Sequence, residues 1–430
     1  MDAAGKRLSA FRDLLAHLRE LLALEFGFVL WDGSSVPAGH PPGDLAVVIA
    51  DEGVVAAVIR RPRLETLLDL WVAGRIDLRG GTVPDLIDRQ PRMRSRILRQ
   101  KIDKGLLLRV AGRFLLVPDR GPHPLRQMGE PVAGDEGNEA NIQYHYDVSN
   151  AFYALFLDPE LVYSCAYFKD WGNDLATAQR DKLDMICRKL RLAPGDTLLD
   201  VGCGWGALIC HAAKNYGVRA HGITLARQQF EYANAKIAAL GLQDRVTVAL
   251  NDYASVQGEY DKIASIGMFE HVGIDNHDTY FNAIYRLLKP RGLYLHHAIT
   301  RRGRDARAFR RKNQAYEAFT RYIFPGGELD HIAMSVGNLE RLGFEVHDVE
   351  NWREHYRLTC RHWHDRLVAA KSEAVAQVGE PKTRLWILYL AASSYLFASH
   401  ATSIFQTLAS RRDRKQSASG LPPTRADLYR

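Results

Sequence analysis

From residue 183 to residue 300 the chain alternates apolar runs of two different periods. Leu183, Ile186, Cys187 and Leu190 recur at helical spacing, which predicts a helix with one buried stripe. "TLLDVGCG" predicts a buried strand running into a turn, and "ALICHAAKNYG" a helix that stops at Gly217. "VRAHGIT" then predicts a strand, and "ARQQFEYANAKIAALG" a helix that stops at Gly241. "DRVTVAL" and "YDKIASIG" are two more strands. "NHDTYFNAIYRLLKPRG" is a helix closed by Pro290 and Gly292, and "LYLHHAIT" is the next strand. This alternation predicts an α/β fold: a mostly parallel, Rossmann-like sheet with helices on both faces.

The first 115 residues have a different pattern. "DLAVVIA", "GVVAAVIRR" and "GRFLLVPD" predict short strands, and "RLETLLDLWVAGRIDL" a helix. The opening stretch, "MDAAGKRLSAFRDLLAHLRELLALEF", predicts an amphipathic helix and lacks the continuous apolar core of a signal peptide. Residues 117–140 hold four glycines and four prolines, which predicts a linker. The expected organisation is a smaller α+β amino-terminal domain over 1–116, suited to lipid binding or dimerisation. The linker 117–140, an α/β catalytic domain over 141–410 and a basic tail over 411–430 follow. "LWILYLAASSYLFASHATSIF" (385–405) has the length of a membrane span and no Asp, Glu, Lys or Arg. Its serines, His400 and Thr402 dilute it, so it predicts a helix buried in protein.

Composition narrows the partners. Hydrophobic residues make up 47% of 430, enough for real cores, and this excludes a disordered chain. The five cysteines (Cys165, Cys187, Cys203, Cys210 and Cys360) are scattered without a C-x-x-C pair. Neither a disulfide framework nor a metal site is expected, and a reducing compartment fits. The net charge of +7 is clustered. Arg89 to Arg113 holds nine basic residues against Asp103, and Arg301 to Lys312 holds seven against Asp305. Such clusters favour an anionic surface, nucleic acid or phospholipid headgroups. The absence of interleaved aromatics argues against nucleic acid.

The densest chemistry is "DVGCGWG". Asp200 closes a strand, and Gly202, Gly204 and Gly206 let backbone approach a ligand beyond the strand's carboxyl end. The G-x-G-x-G spacing is not the dinucleotide fingerprint, and "VRAHGIT" ends without the acid that would hold a ribose. The turn therefore predicts an S-adenosylmethionine site. Just ahead of it, residues 141–168 are crowded with aromatics, including Tyr146, Phe152, Tyr153, Phe156, Tyr163 and Phe168. Taken singly, Cys165, Glu270, His297 and Tyr356 read as ordinary packing or capping residues.

Together, "HYDVSNAFYALFLDPELVYSCAYF", "LLDVGCGWGAL", "GITLARQQ", "SIGMFEHVG" and "IFPGG" resemble the cyclopropane fatty acid synthase family. That family includes the mycolic acid cyclopropane synthases and related lipid methyltransferases. The resemblance covers roughly 141–410, and residues 1–115 fit the extra domain of the bacterial phospholipid synthases. It implies a class I methyltransferase fold and methyl transfer to the cis double bond of an acyl chain. The resulting carbocation then loses a proton and closes a cyclopropane ring. It implies a bound bicarbonate as base, held by Cys165, Glu270, His297, Tyr356 and the backbone amide of Ile299, with Glu270 orienting His297 or bridging to the anion. It also implies cofactor contacts from Tyr146, Tyr163, Ser164, Asp200, Gly202, Gly204, Thr224, Gln229, Asp252 and Tyr253. The other aromatics are expected to form a lid and line the acyl slot, with Ser393 and Phe397 along the substrate channel.

The sequence departs from the family in one place. Ser393 and Ala398 stand where many members carry Cys and Arg. The sister reaction therefore stays open, giving a methyl-branched or methylene-bearing unsaturated chain. A small-molecule methyltransferase and a lipid-binding homologue without catalysis are the rivals. The expected setting is cytoplasmic, with peripheral attachment to anionic phospholipid through the basic clusters and apolar contact from the amino-terminal helix. A homodimer is possible through the amino-terminal domain.

Overall fold

The computed structural model describes residues 2–89, 101–126, 149–303, 327–413, 415 and 420–429. The chain divides into two compact units: Met1–Gly129 with Val378–Tyr395, and Glu130–Gln377 with Leu396–Arg430.

In the amino-terminal unit, helix α1 (Ala3–Leu22) starts where the Asp2 carboxylate accepts the Gly5 N–H at 2.8 Å. Strands β1 (Gly27–Val29), β2 (Ser35–Val36), β3 (Ala46–Ile49) and β4 (Ile76–Arg79) form a sheet in the order β2-β1-β3-β4. β1 and β3 run parallel, and the outer pairs are antiparallel. "GVVAAVIRR" is not a strand but helix α2 (Glu52–Arg60), because the Asp51 side chain caps it through the Val54 N–H and its first turns, Gly53–Ala57, are buried all round. Helix α3 (Leu64–Val72) follows, then α4 (Val83–Asp88). "GRFLLVPD" is likewise no strand. It holds the end of helix α5 (Lys104–Phe114), which starts where Asp103 accepts the Gly105 and Leu106 N–H groups. The apolar stripe of α1 (Ala10, Phe11, Leu14 and Leu15) joins Leu70, Val110 and Phe114 in this unit's core. That face is occupied by packing, so the expected apolar membrane contact from α1 is not available.

Residues 385–405 do not form one helix. A helix spans Glu380–Ala398, and a strand begins at Thr402. Residues 378–395 belong to the amino-terminal unit, whereas the sequence placed them in the catalytic domain. Arg384 explains the attachment. Its Nε donates to the Trp71 carbonyl at 2.6 Å, and its guanidinium lies 4.4 Å from the centre of the Trp71 ring. Among the described residues no helix is long and apolar enough to cross a membrane.

The second unit opens with helices α6 (Asn150–Ala154) and α7 (Leu175–Lys189). It then alternates β5 (Thr197–Val201), α8 (Ala207–Tyr216), β6 (Arg219–Thr224), α9 (Arg227–Ala239), β7 (Val246–Leu250), β8 (Tyr260–Ile266), α10 (His277–Leu287) and β9 (Leu288–Arg301). α10 passes straight into β9, so Pro290 and Gly292 lie in the strand rather than at the helix end. Helix α11 (Ile332–Arg341), β10 (Phe344–Asn351), helix α12 (Arg353–Ala369) and β11 (Thr402–Arg411) complete it. The seven strands lie in the order β10-β11-β9-β8-β5-β6-β7. β7, β6, β5, β8 and β9 are parallel neighbours, and β11 runs antiparallel to both β9 and β10.

The chain starts at β5, moves outward to β7, then returns to β8 on the other side of β5. That reversal opens a crevice beyond the carboxyl ends of β5 and β8, where open α/β sheets bind ligands. The pleat of β5 sorts its side chains between two cores. Leu198 packs with Leu183 and Ile186 of α7 and with Leu190 just after it on one face, and Leu199 and Val201 pack with Phe281 and Ile284 of α10 on the other. Asp200 shares the face of Leu198, which directs it toward α7.

Candidate active site

A cavity of about 500 Å³ occupies the crevice. Its wall combines the β5 turn from Asp200 to Trp205, Thr224 after β6, Asn251–Tyr253 after β7, and Ile266–Met268 after β8. Tyr163, Ser164, Lys182 and Gln229 complete the polar lining. Gly202 and Gly204 take positive φ (84° and 53°), so the turn folds back on itself. A Cβ at Gly202 would strike Met268 at 2.8 Å, while one at Gly204 meets nothing within 4 Å. Thr224 Oγ1 donates to Gln229 Oε1 at 2.8 Å, fixing both side chains at the rim. The aromatics of 141–168 pack against the turn. The Tyr153 ring lies 5.0 Å from Trp205 and 5.3 Å from Tyr163, and Trp205 Nε1 donates to Asn150 Oδ1 at 2.7 Å.

The cavity wall carries buried charge. Asp200 is 3% exposed, and its Oδ1 has no hydrogen-bond partner among the described residues. Burial pushes its carboxyl up to about 7. Lys182, 2% exposed, donates to the neutral Ser164 hydroxyl at 2.8 Å, and burial lowers its ammonium to about 8.

A second polar group adjoins these segments along the chain. Cys165 follows Ser164 and is fully buried; its Sγ donates to the Ala166 carbonyl at 3.3 Å and, more weakly, to that of Trp352 at 3.8 Å. Burial drives its thiol far above the ordinary range. The His297 ring stands edge-on to Trp352 at 5.4 Å, and Tyr356 lies one turn further along α12. The Tyr356 ring packs 4.6 Å from Phe397. Trp352 thus meets the His297 ring with its indole and the Cys165 thiol with its carbonyl, and Tyr356 follows it on α12. Glu270 comes from the turn after β8, which is tied to β9 because the Gly267 N–H donates to the His297 carbonyl at 2.8 Å. The Ile299 N–H donates to Glu270 Oε1 at 2.6 Å.

Four buried polar atoms in this group have no partner among the described residues: Glu270 Oε2, His297 Nε2, Trp352 Nε1 and Gln406 Oε1. Burial raises the Glu270 carboxyl to about 7 and holds the His297 imidazole well below its ordinary value, hence neutral. Gln406 Nε2 donates to His297 Nδ1 at 2.9 Å, so the ring carries its proton on Nε2. Gln406, not Glu270, orients this histidine. Such a group can hold a small anion or a shared proton in a dry setting.

The family model described as mycolic acid cyclopropane synthetase matches residues 135–407. The chain belongs to the mycolic acid cyclopropane synthetase family. A probable fatty acid methyltransferase of Pseudomonas putida is 37% identical over 417 residues, covering 95% of this chain and 97% of that protein. The cyclopropane-fatty-acyl-phospholipid synthase of Escherichia coli K12 is 38% identical over 267 residues, covering 62% of this chain and 66% of that protein. Among solved structures, mycolic acid cyclopropane synthase CmaA1 complexed with SAH and CTAB is 34% identical with a TM-score of 0.60, covering 64% of this chain and 98% of that one. The fold is accordingly that of a class I methyltransferase, and the protein is an S-adenosylmethionine-dependent enzyme of this family.

Tyr163, Ser164, Asp200, Gly202, Gly204, Thr224, Gln229, Asp252 and Tyr253 all line the one cavity. Tyr146 lies outside the described residues, as do most of "IFPGG" and much of both basic clusters. Cys165, Glu270, His297, Ile299 and Tyr356 are not cavity-lining residues. Cys165 and Glu270 adjoin the cavity through the lining residues Ser164 and His271, whereas no chain neighbour of His297, Ile299 or Tyr356 lines it. Phe397 is brought to Tyr356; Ser393 is buried one turn earlier, in the stretch that belongs to the amino-terminal unit. Sequence reasoning missed Lys182 and Gln406. Lys182 had a signal, since it interrupts the apolar stripe of α7 beside Leu183 and one turn before Ile186. Gln406 had none, because it meets His297 only through the β9–β11 pairing, in which the two residues are direct partners.

Proposed function

We propose that this enzyme transfers a methyl(ene) group from S-adenosylmethionine to the cis double bond of an unsaturated acyl chain in a membrane phospholipid, giving a cyclopropane fatty acid. The cofactor fits the residues present. A partnerless buried carboxylate oxygen on Asp200 suits its ammonium, and the open face of Gly204 leaves room for close approach. Tyr163, Ser164, Asp200, Gly202, Gly204, Thr224, Gln229, Asp252 and Tyr253 would hold it, with Tyr146 as a further contact. When bound, it supplies an electrophilic methyl on a sulfonium. The surrounding rings offer π-faces to positive charge and keep water from a carbocation.

The carrying observation is the pair of buried, partnerless atoms, Glu270 Oε2 and His297 Nε2. They suit a bound bicarbonate able to accept the proton lost on ring closure. His297 presents Nε2–H because Gln406 occupies Nδ1. Glu270, with its carboxyl near 7, can hold a proton and donate it to an anion. Cys165 and Tyr356 complete the enclosure. The Ile299 amide is held by Glu270, so its donation to the anion requires Glu270 to release it.

A second reading concerns the product. Ser393 and Ala398 in the Glu380–Ala398 helix support the sister reaction, in which the same cation loses a different proton and keeps an alkene. The name of the Pseudomonas putida relative, a probable fatty acid methyltransferase, agrees with either outcome. Fatty-acid mass spectrometry of a bacterial host lacking such lipids tests both. A gain of one CH₂ that resists hydrogenation is expected; the same gain with a surviving alkene selects the sister reaction. No modified lipid in a host that makes folded protein overturns both.

A further inference from the structure

Burying an ammonium costs several kcal/mol unless a partner compensates it. Lys182 is buried in the cavity wall, yet its hydrogen bond goes to a neutral acceptor, Ser164 Oγ. An ammonium carries three N–H groups, so this bond leaves donors to spare. The nearby Asp158 carboxylate attracts Lys182 but accepts the Glu160 and Val162 N–H groups rather than a hydrogen bond from it. Asp200 mirrors the situation, with a buried oxygen lacking a partner. The fold holds two opposite charges on one cavity wall, near enough to attract, without a hydrogen bond between them. Lys182 sits on α7 at the position that faces β5, and the Asp200 side chain points to the same face, so the separation is built by helix and strand together.

We infer that Lys182 selects ligands bearing an amino-acid carboxylate, pairing with the carboxylate of the methionine portion while Asp200 takes its ammonium. The inference rests on the reading of the cavity as an S-adenosylmethionine site and adds to it a specificity-determining residue. A zwitterion satisfies both buried charges at once, whereas either charge alone leaves the other stranded. Ser164 has a positioning role, because its hydroxyl holds the ammonium toward the cavity. Gln179 in turn fixes the Ser164 backbone, donating to its carbonyl at 2.9 Å.

Calorimetric titration of three ligands tests this: S-adenosylmethionine, its decarboxylated analogue and 5′-methylthioadenosine, which lacks the amino-acid end. The wild-type protein is expected to prefer S-adenosylmethionine over the decarboxylated analogue by about 10- to 100-fold, the range of a charge-assisted hydrogen bond. In Lys182→Met that preference should collapse to within about threefold, while 5′-methylthioadenosine binds as before. Lys182→Arg should retain most of the preference. Equal loss of all three ligands in a folded Lys182→Met protein would assign Lys182 a purely structural part and overturn the inference. If Lys182→Met does not fold, the wild-type comparison still decides, since a preference below about threefold overturns it. A wild-type protein that binds none of the three overturns the cofactor reading itself, a separate and recognisable failure.

Discussion

Glu270 holds the Ile299 amide with one oxygen and keeps the other buried without a partner among the described residues. Its carboxyl is raised from 4.5 to about 7 by burial. A raised folded-state value means that the native state binds more protons than the unfolded chain between those limits. The stabilising contribution is fully present below pH 4.5 and is lost as pH rises through 7. At about 1.4 kcal/mol for each tenfold change in proton binding, this is on the order of 3 kcal/mol. Glu270→Gln keeps an acceptor for Ile299 and removes the titration. Relative to wild type, it should gain roughly 2–3 kcal/mol in unfolding free energy between pH 5 and pH 8, measured by urea denaturation at both pH values. The same variant should lose methyl transfer by about 100-fold, because it can neither share nor release a proton. A parallel pH dependence in both proteins would show that Glu270 does not titrate in this window.

The glycine turn and the strand beside it depend on space as much as on flexibility. Gly222 of β6 pairs in register with Asp200, and a Cβ there would come within 2.9 Å of Cys203 and Ile209. No positive φ is involved, so the demand is purely steric. Gly222→Ala should therefore push the turn outward, cost about 1–3 kcal/mol and weaken S-adenosylmethionine binding. Gly204→Ala meets no atom within 4 Å but must hold φ at 53°, so its cost should be about 1–2 kcal/mol from the backbone alone. Thermal melts combined with cofactor titration separate the two cases. The elements from β5 to β9 were legible in the sequence because each strand is a short apolar run and helices α8 and α9 end at glycines with positive φ, Gly217 and Gly241. "GVVAAVIRR" was misread because a β-branched run fits either period, and the cap that decides it, Asp51, lies just outside the run. Of the nine expected cofactor positions that line the cavity, seven lie in the quoted motifs, and Asp252 and Tyr253 came only with the resemblance. The tie between His297 and Gln406 was not, since it depends on which strand pairs with β9.

Charge and exposed apolar surface coincide in the amino-terminal unit. Helix α5 and the residues just after it present Leu108, Leu115 and Leu116, which are 74%, 51% and 92% exposed. Lys104, Arg109 and Arg113 are exposed among them. Apolar side chains rimmed by cations are what an anionic bilayer surface binds, through insertion of the leucines and about 1 kcal/mol from each Lys or Arg near the headgroups. The apolar stripe of α1, by contrast, packs in the core. With a membrane phospholipid as the proposed substrate, this surface is the expected point of attachment. Binding to vesicles containing phosphatidylglycerol should therefore be strong at low salt and fall at least tenfold between 50 mM and 500 mM NaCl, as screening shortens the reach of the cations. Binding to neutral phosphatidylcholine vesicles should be weak throughout. The double variant Leu108→Glu, Leu116→Glu should reduce vesicle binding at every salt concentration while leaving S-adenosylmethionine binding unchanged. Sedimentation of protein with vesicles measures the first, calorimetry the second. Equal binding to anionic and neutral vesicles, or no response to the two substitutions, would mean that this surface does not carry the attachment.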